Sequence, residues 1–144
     1  MRLSKTQMTA ATALLMAATQ IQAGPVCLPR HLDGHYVMYQ NSVAPANPHI
    51  GKCEIEIERG VASGTCAFTS QGPTAGFSGP VSGTASIARN CSAELQIDFA
   101  PNPANPALVV HSFFDLQFAP DRNSFVGQWT NSFGLVGTTG GVRN

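Results

Sequence analysis

The sequence places three metal-ligating side chains close together, at His31, Asp33 and His35. In an extended chain alternate side chains point to the same side, so these three would share one face. Two imidazoles and a carboxylate form a ligand set that suits zinc, copper or nickel. His49 and His111 are candidates for a further ligand. The segment therefore predicts a small metal-binding site.

The same segment also carries the signal for a turn. Asp33-Gly34 is typical of turns, and a turn at this point would direct His31 and His35 away from each other. We therefore expect no obligatory cofactor, and a divalent metal is the one candidate.

Nucleophilic catalysis finds little support among the residue patterns. No serine stands in a Gly-x-Ser-x-Gly elbow, and a free thiol is absent if every cysteine is bridged. Glu54, Glu56 and Glu58 alternate along one strand and are expected to face water, where their mutual repulsion protects the sheet edge from aggregation. An enzyme remains an alternative because active sites can be assembled from residues that are dispersed in the sequence.

A further group of side chains indicates binding. The segment Leu108 to Phe118 alternates between apolar and other residues. This alternation places Val109, His111, Phe113 and Asp115 on one face, and Val126 and Val136 are candidates to join them. An exposed apolar patch marks a partner surface. The alternative is that a loop or the N-terminal segment covers this face.

Residues 1–23 have the layout of a secretory signal peptide. Arg2 and Lys5 give a positive start, Ala10 to Ala18 form a short apolar run, and Ala23 ends the segment with a small residue. The apolar run has about half the length that a membrane-spanning helix needs. We therefore expect residues 24–144 to form one exported domain, periplasmic or secreted, with no transmembrane segment.

Composition limits the class of partner. The chain of 144 residues is 43% hydrophobic and only 11% charged. Without Arg2 and Lys5, six basic residues face eight acidic ones, which gives a net charge of −2. A nucleic-acid-binding protein needs a basic stripe, so we expect no nucleic-acid partner. The hydrophobic share also excludes a disordered chain.

One disulfide follows from the register of a predicted hairpin. Lys52 to Glu58 alternates, Arg59-Gly60 suits a two-residue turn, and Val61 to Thr69 forms the return strand. With that turn, Cys53 lies opposite Cys66 on a non-hydrogen-bonded pair. The Cα atoms of such a pair are about 4.5 Å apart, which is within reach of a disulfide.

The remaining two cysteines, Cys27 and Cys91, are left to pair with each other. An even number of cysteines in an exported chain is typical of a disulfide framework. Structural zinc sites need closely spaced cysteine pairs, and this chain has none. Two disulfides are therefore expected.

The other strand signals extend the same pattern. Further strands are predicted at Tyr36–Gln40, Val81–Ala88, Ala93–Phe99, Leu108–Phe118, Ser124–Thr130 and around Leu135–Thr139. In the second hairpin small residues oppose large ones, with Ala85 opposite Leu95 and Val81 opposite Phe99. In the third hairpin, Phe114 lies opposite Trp129.

Eight or nine short strands joined by tight turns are typical of an antiparallel barrel or sandwich. The run of consecutive hairpins favours a small all-β up-and-down barrel of about eight strands with two disulfides, and a sandwich is the second choice.

The segment from Phe125 to Thr130, with Gly127-Gln128-Trp129 at its centre, resembles strands of avidin-like and lipocalin-like barrels. In those barrels a Gly-x-Trp motif positions an aromatic side chain in the core. The likeness covers about twenty residues, and lipocalins carry the motif near the N-terminus whereas it lies near the C-terminus of this chain. The resemblance supports a barrel and implies no ligand site.

These observations together predict an exported, non-catalytic binding or inhibitory module whose partner is a protein or a small ligand. One alternative is a small periplasmic metal-binding protein that uses His31, Asp33 and His35. A further alternative is an enzyme that acts on envelope polymers.

Overall fold

The computed structural model describes residues 24–44, 48–70 and 76–144. The predicted signal peptide at 1–23 lies outside these residues. Eight antiparallel strands close into one barrel in chain order, and the last strand is hydrogen-bonded to the first. The strands are β1 (Gly34–Ser42), β2 (His49–Glu58), β3 (Val61–Ser70), β4 (Phe77–Ile87), β5 (Ser92–Phe99), β6 (Val110–Phe118), β7 (Ser124–Asn131) and β8 (Val136–Arg143). The predicted up-and-down barrel is confirmed.

Alternation along the strands sorts residues between the interior and the surface. In β2 the buried positions are Gly51, Cys53, Ile55 and Ile57, and the residues between them are exposed. Interior and exterior positions alternate along every strand of a closed barrel, so the period of two in the sequence fixes which side chains form the core.

The first hairpin has the expected turn and register. Arg59 (φ 50°) and Gly60 (φ 81°) both have left-handed backbone conformations, as a type I′ turn requires. Cys53 pairs with Cys66, and a disulfide joins them with a Cα–Cα distance of 4.1 Å. The second disulfide joins Cys27 to Cys91. Both predicted bridges are confirmed.

The second hairpin agrees with the prediction except at its far end. Ala85 pairs with Leu95 as expected, but the pairing of β4 with β5 stops at Ser82. The expected pair of Val81 with Phe99 is therefore wrong. Strands in a barrel are staggered, so Val81 pairs only with β3, and Phe99 pairs with Val110 of β6.

The third hairpin has the predicted register, and its core contacts follow from it. Phe114 pairs with Trp129, and the centroids of their rings are 6.3 Å apart. Trp129 is 4% exposed, and its indole N–H donates to the carbonyl of Asn41 at 3.2 Å, which ties β7 to β1. Gly127 lies opposite Leu116, and a Cβ at Gly127 would stand 2.9 Å from the Leu116 side chain.

The interior of the barrel is filled by side chains. A cavity between the core residues of one half of the barrel has a volume of about 10 Å³, close to the lower limit for a single water molecule. In the other half, aromatic rings of His49, Phe68, Phe77, Phe99 and Trp129 contact one another with centroid distances between 4.8 and 6.1 Å.

The two ends of the barrel differ in their connections. Residues 24–33 cover one end, which we call the capped end. The Cys27–Cys91 disulfide, the hydrogen bond from the Tyr36 hydroxyl to the Leu32 carbonyl (2.8 Å) and the contact of Arg143 with the His31 carbonyl hold this segment in place. At the opposite end, which we call the loop end, β1, β3, β5 and β7 end and β2, β4, β6 and β8 begin, and the described connections at 100–109 and 132–135 join two of these strand pairs.

Within the described residues, no helix has the length and apolar character that crossing a bilayer requires.

Candidate functional site

The predicted metal ligand His31 is engaged in the capped end. It closes a 3-10 turn (Pro29–His31), where its Nδ1 accepts the backbone N–H of Leu28 at 3.1 Å. The guanidinium of Arg122 lies 3.0 Å from the same Nδ1. Burial first, and then the positive charges of Arg122, Arg30 and Arg143, lower the pKa of His31 below its ordinary value. A nitrogen with these neighbours is a poor metal ligand.

The other two predicted ligands make separate contacts. Asp33 Oδ1 accepts the backbone N–H of Arg59 at 2.7 Å, which docks the capping segment on the β2–β3 turn. His35 lies on β1, where its Nε2 is 3.4 Å from Glu56 Oε1. In the described part of the chain, no group of three His, Cys, Asp or Glu side chains is placed to hold a metal ion. The metal site at His31, Asp33 and His35 stays a prediction without supporting geometry.

The predicted binding residues lie on β6 and on the loop that precedes it. Phe113 points outward and is 47% exposed, and Val109 is 40% exposed. Asp115 is exposed on the same face, whereas His111 is half-buried. The expectation that this face is outward is confirmed, and among the described residues neither a loop nor the capping segment covers Phe113.

Phe113 lines a depression on the outer surface of β4 to β8, which we call the outer-face depression. It has a volume of about 980 Å³. Phe113 pairs with Thr130, and Thr130 pairs with Val136. The backbone N–H of Val43 bonds the Val136 carbonyl at 3.1 Å, so exposed apolar side chains continue along one row across the sheet.

Two acidic side chains are the charged residues of this depression. Glu94 and Asp115 line it, and no Lys or Arg is among its described lining residues. The two are directly opposite each other on β5 and β6. Like charges at directly opposed positions are destabilising. The ion pairs found among the described residues include neither of them, so the depression carries uncompensated negative charge.

His111 forms a polar pair beside the depression. Its Nδ1 lies 2.8 Å from Asp98 Oδ1, and Gln96 Nε2 donates to the same carboxylate at 2.9 Å. The hydroxyl oxygen of Ser132 accepts the backbone N–H of His111 at 3.2 Å. In the described residues, no Ser, Thr or Cys side chain bonds the His111 imidazole. The geometry therefore supplies a His–Asp pair without a nucleophile.

Glu94 and Val43 are among the lining residues of the depression that the sequence analysis did not name. Glu94 joins Asp115 only because β5 pairs with β6, and the ten-residue connection at 100–109 gives no turn signal from which that register follows. Val43 joins Val136 only because β8 closes on β1.

Comparison of the chain with protein-family models, with curated proteins and with solved structures found no match.

Proposed function

We propose that the protein is an exported, non-catalytic binding module and that its binding site is the outer-face depression. The observation that carries this proposal is the exposed ring of Phe113 within a depression of about 980 Å³. An aromatic side chain held at the surface by a rigid strand loses little entropy on binding, and such residues are enriched at interfaces.

The filled interior supports a site on the outside of the barrel. Barrels that bind small molecules hold them in an interior chamber, whereas the core of this barrel is packed with side chains. The two disulfides are in keeping with an oxidising compartment.

The charges of the depression define the chemistry of the partner. Glu94 and Asp115 attract a cation, and the row of Val43, Phe113 and Val136 favours apolar side chains. The partner that suits both features is a protein segment in which Lys or Arg residues accompany apolar ones. Complementary charge would fix its position and favour its association.

A direct test uses a fluorescein-labelled synthetic peptide of alternating Lys and Leu residues and measures its binding by fluorescence anisotropy. Phe113→Ser should weaken binding about tenfold, because the apolar contact of one aromatic ring is lost. Asp115→Asn should weaken it about two- to fivefold, as expected for one exposed charge pair.

Matched controls separate this site from the general acidity of the protein. Glu56→Gln removes an exposed carboxylate and Ile50→Ser removes an exposed apolar side chain, both from β2, which lies away from the described lining of the depression. Neither should change the affinity. If Glu56→Gln weakens binding as much as Asp115→Asn, the peptide responds to net charge and the proposed site is wrong.

A further inference from the structure

Charged residues avoid the loop end of the barrel. The stretches 34–51, 60–88, 99–114 and 123–142 contain no Asp, Glu, Lys or Arg. Each stretch spans the end of one strand and the start of the next strand at the loop end. The arginines of the described residues lie instead at the capped end, in its segment, its turns and the end of β8: Arg30, Arg59, Arg89, Arg122 and Arg143.

The charge nearest to the loop end along β5 is already compensated. Asp98 lies one residue before the end of this strand. Its carboxylate is bound by the His111 imidazole at 2.8 Å and by the Gln96 amide at 2.9 Å. The described residues of the loop end therefore present backbone groups, neutral polar side chains and apolar side chains.

Large apolar side chains are exposed at this end. They come from two connections, the one that precedes β6 and the one between β7 and β8: Leu108, Val109 and Phe133. Phe133 is 59% exposed. An exposed cluster of this kind marks an interaction surface with a protein or a membrane.

The β7–β8 turn holds Phe133 away from the protein. Asn131 Oδ1 accepts the backbone N–H groups of Phe133 and Leu135, both at 3.0 Å. The N–H of Gly134 (φ 76°) bonds the Asn131 carbonyl at 2.9 Å. The N–H of Ser132 bonds the His111 carbonyl at 2.9 Å. This network fixes the backbone of the turn in the conformation that leaves the Phe133 side chain exposed.

We infer that the loop end is a lipid-contacting surface that places Phe133, Leu108 and Val109 in the interfacial region of a bilayer. A protein interface has a polar, solvent-accessible rim in which charges are tolerated. The free-energy cost of a charged side chain in a bilayer grows with depth, from little at the interface to several kcal/mol near the centre. A surface whose described residues carry no charge can therefore seat its apolar side chains more deeply, which favours lipid over a protein partner. This site is distinct from the outer-face depression, which neither Phe133 nor Leu108 lines.

Flotation with vesicles of pure phosphatidylcholine tests the inference. The full chain should float with these vesicles, and high salt should not release it, because the contact involves no ion pair. Phe133→Ser should lower the partition coefficient about tenfold, and Leu108→Ser should also lower it. Val61→Ser is the matched control, because Val61 is 62% exposed and lies at the capped end. All proteins carry residues 1–23, whose apolar run can itself partition into lipid, so the test rests on the ratio of each variant's partition coefficient to that of the parent chain.

Four outcomes would overturn the inference. The chain fails to float with phosphatidylcholine, or Val61→Ser and Phe133→Ser lower flotation equally. Binding that requires anionic lipid and is lost in high salt would assign the contact to the arginines of the capped end. A dimer in analytical ultracentrifugation that Phe133→Ser abolishes, without flotation, would show that a second copy covers the loop end. Peptide binding at Phe113 is unaffected by any of these outcomes, so the two proposals fail independently.

Discussion

Phe113 and Trp129 lie on opposite faces of the β6–β7 pair, and one is exposed whereas the other is buried. We therefore assign Phe113 to binding and Trp129 to the stability of the fold. Trp129 is 4% exposed and contacts Phe114, whereas Phe113 is 47% exposed in the outer-face depression. An aromatic side chain that the fold does not bury is available to a partner.

Truncation of these two side chains should therefore have different effects on the free energy of unfolding. Trp129→Ala should cost about 3–5 kcal/mol, as is typical of a buried aromatic residue. Phe113→Ala should cost about 0.5 kcal/mol, as for a surface site. Chemical denaturation with the disulfides intact measures both values. Equal losses would mean that Phe113 is covered in solution.

The pKa of His31 reports on the positive charges of the capped end. Burial and the neighbouring arginines lower this pKa below the ordinary value of 6.5, so the folded protein resists protonation of His31 more than the unfolded chain does. The stability linked to His31 is complete above pH 6.5 and is lost as the pH falls from 6.5 through the lowered pKa.

An NMR titration should place the midpoint of His31 below 6.5, and Arg122→Ala should raise it. The variant His31→Gln should show a smaller loss of stability below pH 6.5 than the parent protein does. A midpoint that Arg122→Ala leaves unchanged would show that Arg122 does not act on the imidazole.

At the scale of the element, the β2–β3 hairpin depends on a turn whose first central residue, Arg59, does not favour the backbone conformation that it adopts. A type I′ turn needs positive φ at both central residues, and Arg59 adopts φ 50°. Asn adopts this conformation more readily than Arg. The backbone N–H of Arg59 also donates to Asp33, and any residue other than proline preserves that bond.

Replacement of Arg59 by Asn should therefore stabilise the protein by up to about 1 kcal/mol. The lost side-chain contact with Glu58 is an exposed ion pair, which contributes little. Arg89→Asn, an exposed change in another turn of the capped end, should leave stability almost unchanged. A destabilised Arg59→Asn variant would contradict the role assigned to the turn.

The hairpins could be predicted because a short turn fixes the register of the strands beside it. Cys53 opposite Cys66 and Phe114 opposite Trp129 both follow from counting outward from a turn. The pairing of β5 with β6, and the closure of β8 on β1, depend on contacts across long stretches of chain that carry no local signal. The binding face was therefore predicted on β6, with Val126 and Val136 as candidates on β7 and β8, and Glu94 and Val43 were missed.

The prediction of a metal site was also limited, because it rested on a local pattern of residues alone. Strict alternation would have placed His31, Asp33 and His35 on one face. Pro29 instead begins a 3-10 turn that ends at His31, and the β1 strand begins only at Gly34. The three side chains therefore belong to different elements and make different contacts.

At the scale of the whole molecule, the Cys27–Cys91 bridge joins the capping segment to the barrel. It closes a longer loop than Cys53–Cys66, with sequence separations of 64 and 13. In the chain-entropy account these loops correspond to about 4 and about 3 kcal/mol of stabilisation. Loss of the longer loop also frees residues 24–33 from their attachment to Cys91.

The double variant C27S/C91S should therefore lose more stability in urea than C53S/C66S. It should also show faster amide hydrogen exchange at Leu32, which is buried within the capping segment, and at Tyr36, whose hydroxyl binds that segment. A smaller loss for C27S/C91S than for C53S/C66S would show that the cap contributes less than the hairpin bridge.

The distribution of charge gives the molecule three different surfaces. Arginines collect at the capped end, uncompensated carboxylates face the outer-face depression, and the loop end carries no charge. On this account, the depression binds a basic and apolar protein segment while the loop end contacts lipid.

The most direct test of the binding site is NMR mapping with the Lys–Leu peptide. The account predicts that backbone amide shifts of the ¹⁵N-labelled protein change mainly at the lining of the depression, at Gln96, Phe113, Asp115, Thr130 and Val136. At a peptide concentration near the Kd of the parent protein, these changes should become several times smaller in the Phe113→Ser variant, in keeping with affinity that is about tenfold weaker. Shift changes centred on β2 and β3, or no changes at saturating peptide, would contradict the assignment of the outer-face depression as the binding site.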